Sequence, residues 1–170
     1  MIPNEIVSVD RLPPADITLP VQGRIVRPER ALIDLHHAAF ATASETVIER
    51  VNWMRSPSYD PRLDLAAVAP NGALAAFCRC SISVEENARL GCADAWVDLI
   101  GVHPAYRRQG LGRALLLLAL RNMRAMGLNR ALLSVGSWNT PAQRLFESCG
   151  FVIACRVFWH VYDTEMEMAV

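Results

Sequence analysis

The sequence predicts a single α/β domain, a mixed β-sheet flanked by helices, with elements in the order β-α-α-β-β-β-α-β-α-β. Three observations predict it. Residues 97–112, VDLIGVHPAYRRQGLG, pass from an apolar run through a Pro104 turn and a basic, glycine-containing loop into RALLLLAL, so a strand hands over to a helix. Residues 63–69 and 74–84 are apolar runs joined by Pro70-Asn71-Gly72, and Asn-Gly between such runs signals a hairpin because both residues tolerate positive φ. Residues 130–136, RALLSVG, form the short continuous apolar run of a buried strand. A chain of 170 residues, 52% hydrophobic and 20% charged, is long enough to bury a core and too apolar to be disordered.

Residues 1–22 carry Pro3, Pro13, Pro14 and Pro20 and read as an extended arm outside the core, preceding a domain at 23–170. Within the arm, Ile6-Val7-Ser8-Val9 suits a short edge strand, packed either on this domain or on a partner chain of a homodimer. Residues 23–27 suit a short strand that Pro28 ends, and apolar residues at 31, 32, 35, 38 and 39 then recur at helical spacing. Thr42-x-x-Glu45 has the capping-box pattern and opens a second helix to about residue 55, with Val47, Ile48, Val51 and Met54 on one side. After the hairpin strands, residues 85–91 are expected to be a polar loop, followed by a strand at 93–102. The helix at 111–126 ends at Gly127. In Thr140-Pro141-Ala142-Gln143, Thr is the expected N-cap, Pro takes the first helical position and Gln the capping-box position. That helix runs to about Cys149, and residues 151–162, rich in Val, Phe, Trp and Tyr, form the last strand.

Composition excludes several classes. Basic and acidic residues number 17 each, so broad nucleic-acid binding is not expected, although Arg107, Arg108 and Arg113 make a local basic patch. No lysine is present. The five cysteines, at 78, 80, 92, 149 and 155, include no CxxC pair and no convincing metal ligand set, which suits reduced thiols in a cytoplasmic protein. No secretory leader is evident, and the longest apolar run, 114–120, is far shorter than the ~20 residues of a membrane span.

The chemistry concentrates at 97–112. A helix N-terminus presents unpaired N–H groups and partial positive charge; glycines allow close approach and arginines pair with phosphate oxygens. The loop is therefore a phosphate cradle. It lacks the GxxxxGK[ST] of a P-loop and the third glycine of a dinucleotide fingerprint. Its pattern is Arg/Gln-x-x-Gly-x-Gly/Ala, carried by Arg107, Gly110 and Gly112.

With Asn139-x-x-Ala142 and Leu145-Phe146-Glu147-Ser148-Cys149-Gly150-Phe151, this pattern resembles the GCN5-related N-acetyltransferase (GNAT) superfamily across residues 23–162. Tyr59-Asp60-Pro61-x-Leu63-Asp64-Leu65 and the run at 75–78 are similar to the C-terminal half of tandem-domain, mycothiol synthase-like members. The resemblance implies a splayed central sheet, acetyl-coenzyme A as co-substrate, no metal, and direct attack of an amine, small-molecule or peptide, on the thioester. The backbones of Ile100 and Val102 would hold the pantetheine arm. Gly101 would suit the bulge that opens the sheet. Backbone N–H groups from Arg107, Arg108, Gln109, Gly110, Leu111 and Gly112 would bind the pyrophosphate, helped by the side chains of Arg107, Arg108 and Arg113. Asn139 would bond the coenzyme, and Phe146 would line the acyl slot.

One position departs from the family pattern. Phe146 stands where the family has the tyrosine that protonates the leaving thiolate. Ser137, Ser148, Cys149 and Tyr162 are the substitutes, water is another, and a non-catalytic acyl-coenzyme A sensor is the alternative function. Asp98 is the candidate base, because it interrupts an apolar strand; the competing reading is an ion pair with Arg79 or simple exposure. Trp96 shares its face by alternation, as core or as pocket wall. His103 reads as a turn residue, at most one of His36 and His37 as a pocket residue, and one of Trp159 and His160, which alternate on the last strand, as facing solvent or a partner.

Overall fold

The computed structural model describes residues 2–8 (backbone only), 29–40 and 44–158. Its elements are β1 (Ile2–Ser8), α1 (Glu29–Ala39), α2 (Val47–Trp53), β2 (Tyr59–Val68), β3 (Leu74–Ile82), α3 (Val84–Leu90), β4 (Asp94–Val102), α4 (Leu111–Ala125), β5 (Arg130–Ser134), α5 (Thr140–Ser148) and β6 (Val152–Val157), with a 3-10 turn at Pro104–Tyr106. The sheet runs β2-β3-β4-β5-β1-β6. Only the β4–β5 pair is parallel; the four other pairs are antiparallel, so the sheet is mixed as predicted.

The core lies between α4 and one face of the sheet. Leu111, Leu115, Leu116, Leu117 and Leu120 of α4 are buried with Cys78 and Cys80 of β3, Val97 of β4 and Leu133 of β5. Burying each such leucine contributes about 1.5–3 kcal/mol. Alternation along β3 then turns Phe77, Arg79 and Ser81 to the other face, where Phe77 meets the rings of His36 and Phe40 at the end of α1. One face of β3 is thus thiol and methyl, the other carries charge, and the site belongs to the charged face. The Asn71 turn forms as expected, with Asn71 Oδ1 accepting from Ala73 N at 3.1 Å.

Several expectations are corrected. The strand expected at residues 6–8 forms and packs on this domain, but it is neither at an edge nor in an arm outside the core: β1 lies inside the sheet, antiparallel to both β5 and β6. β5 and β6 do not bond to each other, and an intervening antiparallel strand pairs the inner edges of both. Residues 85–91 are not a loop. α3 occupies most of them, with Glu85 and Glu86 in its first turn, favourable to the helix dipole, and Gly91 ending it in the left-handed region. The capping box that opens α2 is Thr46–Glu49 rather than Thr42–Glu45: Thr46 Oγ1 accepts from Glu49 N and the Glu49 carboxylate from Thr46 N. That shift puts Arg50 among the buried positions of α2 and leaves Ile48 73% exposed. The strand expected at 23–27, Thr42, and residues 159–162 lie outside the described residues. Among the described residues no helix is long and apolar enough to cross a membrane, and no group of three or more His, Cys, Asp or Glu is placed to hold a metal ion.

Candidate active site

β4 and β5 pair over three positions only, Asp94↔Arg130, Ala95↔Ala131 and Trp96↔Leu132, and diverge beyond them. The pairing begins with a fork: Arg130 Nε and Nη2 donate to the two oxygens of Asp94 at 2.6 and 2.5 Å. Past Trp96, β4 keeps β3 on one edge and has no strand partner on the other among the described residues. His103 N donates to Ala75 O at 2.9 Å, toward β3. The pleat alternates, so Val102 and Ile100 direct their backbone groups to the opened side. The carbonyl of Val102 there accepts from Arg107 Nε at 3.2 Å.

The bulge in β4 is at Asp98, not at Gly101. Arg79 lies opposite Leu99 and Cys80 opposite Val97, which leaves Asp98 as the extra residue. Gly101 has a different role: a Cβ there would come within 2.6 Å of Phe77 Cε1 and 3.0 Å of Ala39 Cβ. It is the gap through which β4 accepts the Phe77 ring and the end of α1.

Beyond the 3-10 turn the chain enters α4 through Arg108 and Gly110, both left-handed, at φ 64° and 79°. Ala114 N makes the first helical bond, to Gly110 O at 3.0 Å, and no side chain caps the helix. The N–H groups of Leu111, Gly112 and Arg113 therefore have no intrahelical acceptor and carry the positive end of the dipole. Successive N–H groups in a loop of left-handed residues converge on an anion. Leu111 contributes only backbone, its side chain being 3% exposed, while Arg108, Gln109 and Arg113 are exposed. Arg107 is not free to reach a phosphate. Its Nη2 donates to Ala39 O at 3.0 Å while Nε holds Val102 O, so it ties α1 to the end of β4.

Asp98 accepts from Ser81 Oγ at 3.0 Å and is not paired with Arg79. Although the residue keeps contact with solvent, crowding around its carboxyl raises its pKa above the ordinary value, against the Ser81 hydrogen bond and the Arg79 charge. Arg79 instead pairs with Glu45, Nη1 to Oε1 at 2.5 Å, and lies over the Trp53 ring at 4.7 Å. Glu45 Oε2 accepts from His36 Nδ1 at 2.9 Å, and its carbonyl accepts from His37 Nε2 at 2.8 Å. Next to this, Arg50 pairs with Asp64 and also lies over the Trp53 ring, its guanidinium carbon 5.0 Å from the centroid. Burial lowers the pKa of His36 more than Glu45 raises it. Sequence patterns missed this cluster because its members come from α1, α2, β2 and β3; the one local signal was charge at 64 and 79 inside apolar strands.

A profile of the Acetyltransferase (GNAT) family matches residues 30–151. The chain belongs to this family. It is 38% identical over 149 residues to a mycothiol acetyltransferase of Kineococcus radiotolerans, covering 81% of this chain and 46% of the relative. It is 34% identical over 129 residues to a mycothiol acetyltransferase of Thermobispora bispora, covering 74% and 43%. The crystal structure of a GCN5-related N-acetyltransferase from Sphaerobacter thermophilus superposes with a TM-score of 0.73 at 25% identity, over 89% of this chain and 48% of that one. The chain thus spans just under half the length of each of these relatives.

Within this GNAT framework the remaining predicted positions fall as follows. Asn139, not Thr140, caps α5: its Oδ1 accepts from Ala142 N at 3.3 Å, and its amide N–H₂ stays available. Gln143 turns back to donate to Gly136 O at 3.0 Å instead of completing a box. Phe146 is 5% exposed and packs on Phe151 at a centroid distance of 5.8 Å, in the core of the GNAT sheet. Ser148 Oγ donates to Leu145 O at 2.7 Å, and burial pushes the Cys149 thiol up, so neither is poised to give a proton. His103 Nδ1 accepts from Ala105 N at 3.2 Å, a turn cap. Cys78 and Cys80 are buried with sulfurs 3.8 Å apart, whereas Cys155 is exposed. Tyr162 and His160 lie outside the described residues.

Proposed function

We propose that the chain binds acetyl-coenzyme A and transfers the acetyl group to a primary amine by direct attack on the thioester. The observation that carries this reading is the divergence of β4 from β5 beside the uncapped N-terminus of α4. A thioester arm lying along β4 would pair with the outward-facing backbone of Ile100 and the N–H of Val102 like an added strand. Its pyrophosphate would meet the N–H groups from Arg108 to Gly112, the Arg107 N–H being taken by Pro104 O, with the Arg108 and Arg113 side chains adding charge. Asp98, re-aimed by the bulge, takes the proton of the acceptor ammonium, and a raised pKa makes it a better base near neutrality. The Phe146 ring has no proton to give, so water protonates the departing thiolate.

The names of the relatives make a mycothiol-type amine the first acceptor to try, with peptide amines next. Calorimetric titration with coenzyme A and a thiol-release assay against these amines test the proposal. Thiol release that depends on the amine is the expected result. Tight coenzyme binding without release for any amine supports the second reading, a non-catalytic acyl-coenzyme A-binding module, which the buried Phe146 favours. Absence of coenzyme binding removes both.

A further inference from the structure

Arg79 and Ser81 are alternate residues of β3 on the face that carries Asp98. Register sets Arg79 opposite Leu99 and Ser81 opposite Trp96, so the bulged Asp98 falls between them. Ser81 bonds to Asp98 at 3.0 Å, and the Arg79 charge is felt at the same carboxyl. A guanidinium in this position has an obvious partner in Asp98. It is turned to Glu45 instead, at 2.5 Å, and its buried Nε has no hydrogen-bond partner among the described residues, so a donor remains unused.

Glu45 is itself held from three sides. Arg79 takes one carboxylate oxygen, His36 the other, and His37 the backbone carbonyl. The other charges facing Arg79 are engaged elsewhere: Asp64, its cross-strand neighbour on β2, is paired with Arg50 of α2. His36, on α1, is kept toward its neutral form by burial. Glu45 is therefore the carboxylate that neutralises Arg79.

We propose that Glu45 is a positioning residue that holds Arg79 away from Asp98 and so leaves the Asp98 carboxylate free for the acceptor proton. This rests on Asp98 being the base. An arginine paired with Asp98 would occupy its lone pairs and favour its ionised form, making it a weaker base. Without Glu45, the Arg79 charge and its unused donor have Asp98 as the nearby alternative.

The test follows the titration of the Asp98 carboxyl carbon by NMR in the wild type, Glu45→Gln, Arg79→Met and the double variant, with amide spectra reporting the fold. The Asp98 midpoint is expected to fall in Glu45→Gln, to rise in Arg79→Met, and to show no further fall when Glu45→Gln is added to Arg79→Met. Glu45→Asp keeps the charge and should stay near wild type, which separates loss of the latch from loss of the fold. An unmoved midpoint in folded Glu45→Gln overturns the proposal. So does a fall that persists in the Arg79→Met background, because Glu45 then acts through its own charge alone. The experiment needs no acceptor, so its failure is distinct from failure of the base reading. That reading fails when Asp98→Asn retains full activity, whatever the titrations show.

Discussion

Asp98 owes its placement to one extra residue in β4. The bulge lifts it out of the ladder, Ser81 holds one oxygen, and crowding raises its pKa. Two consequences follow at this single residue. In its proposed role as base it must be ionised, so kcat/KM should fall as pH drops through the raised pKa; Asn at this position should remove that limb and lower kcat by about 10²–10⁴-fold. A pH–rate profile unchanged in Asp98→Asn would exclude Asp98 from proton transfer. Stability should move the opposite way. Because the folded pKa lies above the unfolded one, the folded state binds the proton more tightly, and ionisation above the folded pKa costs stability. Asp98→Asn should therefore raise Tm at neutral pH, with the gain shrinking as pH falls through the folded pKa and gone below the unfolded one, a difference that thermal melts at two pH values measure. The residue was legible in the sequence because a charge broke an apolar run. The charged cluster that holds Arg79 was not: Glu45, Arg79, Arg50 and Asp64 meet only once the elements that carry them have packed, and no spacing along the chain encodes that meeting.

At the scale of elements, the strand–loop–helix unit around 97–112 was legible because its signals are local: alternation, a proline turn, glycine, then a leucine-rich helix. The uncapped start of α4 gives a sharp expectation. Gly110 is left-handed at φ 79°, so aspartate there brings both backbone strain and a negative charge to the end of the helix that attracts anions. Gly110→Asp should weaken coenzyme binding by at least tenfold in calorimetry while the far-ultraviolet spectrum stays helical and stranded. Retained affinity would move the phosphate site elsewhere. Where signals compete, local reading failed. Thr42 and Thr46 both begin capping boxes in the sequence, with Glu45 and Glu49 three residues on. The fold uses the second, because Glu45 is needed between His36 and Arg79. Thr46→Ala should accordingly cost about 1 kcal/mol, read as a lower urea midpoint with an unchanged slope. The polar composition of α3 hid its helix, although Glu85, Glu86 and Gly91 are the termini expected of one.

At the scale of the whole molecule, the sheet order depends on β1, the element least legible in the sequence. Pro3, Asn4 and Glu5 describe a free arm, Ile6 to Ser8 suit a strand, and only pairing across long sequence separation places that strand inside the sheet. It bonds to β5 from Asn4 to Ser8 and to β6 from Ile2 to Ile6. Removing it would expose two strand edges at once, on β5 and on β6, and separate β6 from the rest of the sheet. Unpaired edges are templates for intermolecular pairing. A chain lacking residues 1–8 should therefore unfold at a lower urea concentration with a smaller slope, since less surface remains to be exposed, and should associate in a concentration-dependent way by light scattering. The proposed coenzyme side of the molecule, β2 to β4 with α4, keeps its own pairings and core, so on that reading a folded remnant that still binds coenzyme A is the expected residue of the cut. A truncated chain with the stability, slope and solution mass of the full one would show that β1 contributes nothing to the sheet. In that case the last strand would need another partner, and the full chain's own solution mass would say whether a second copy supplies it.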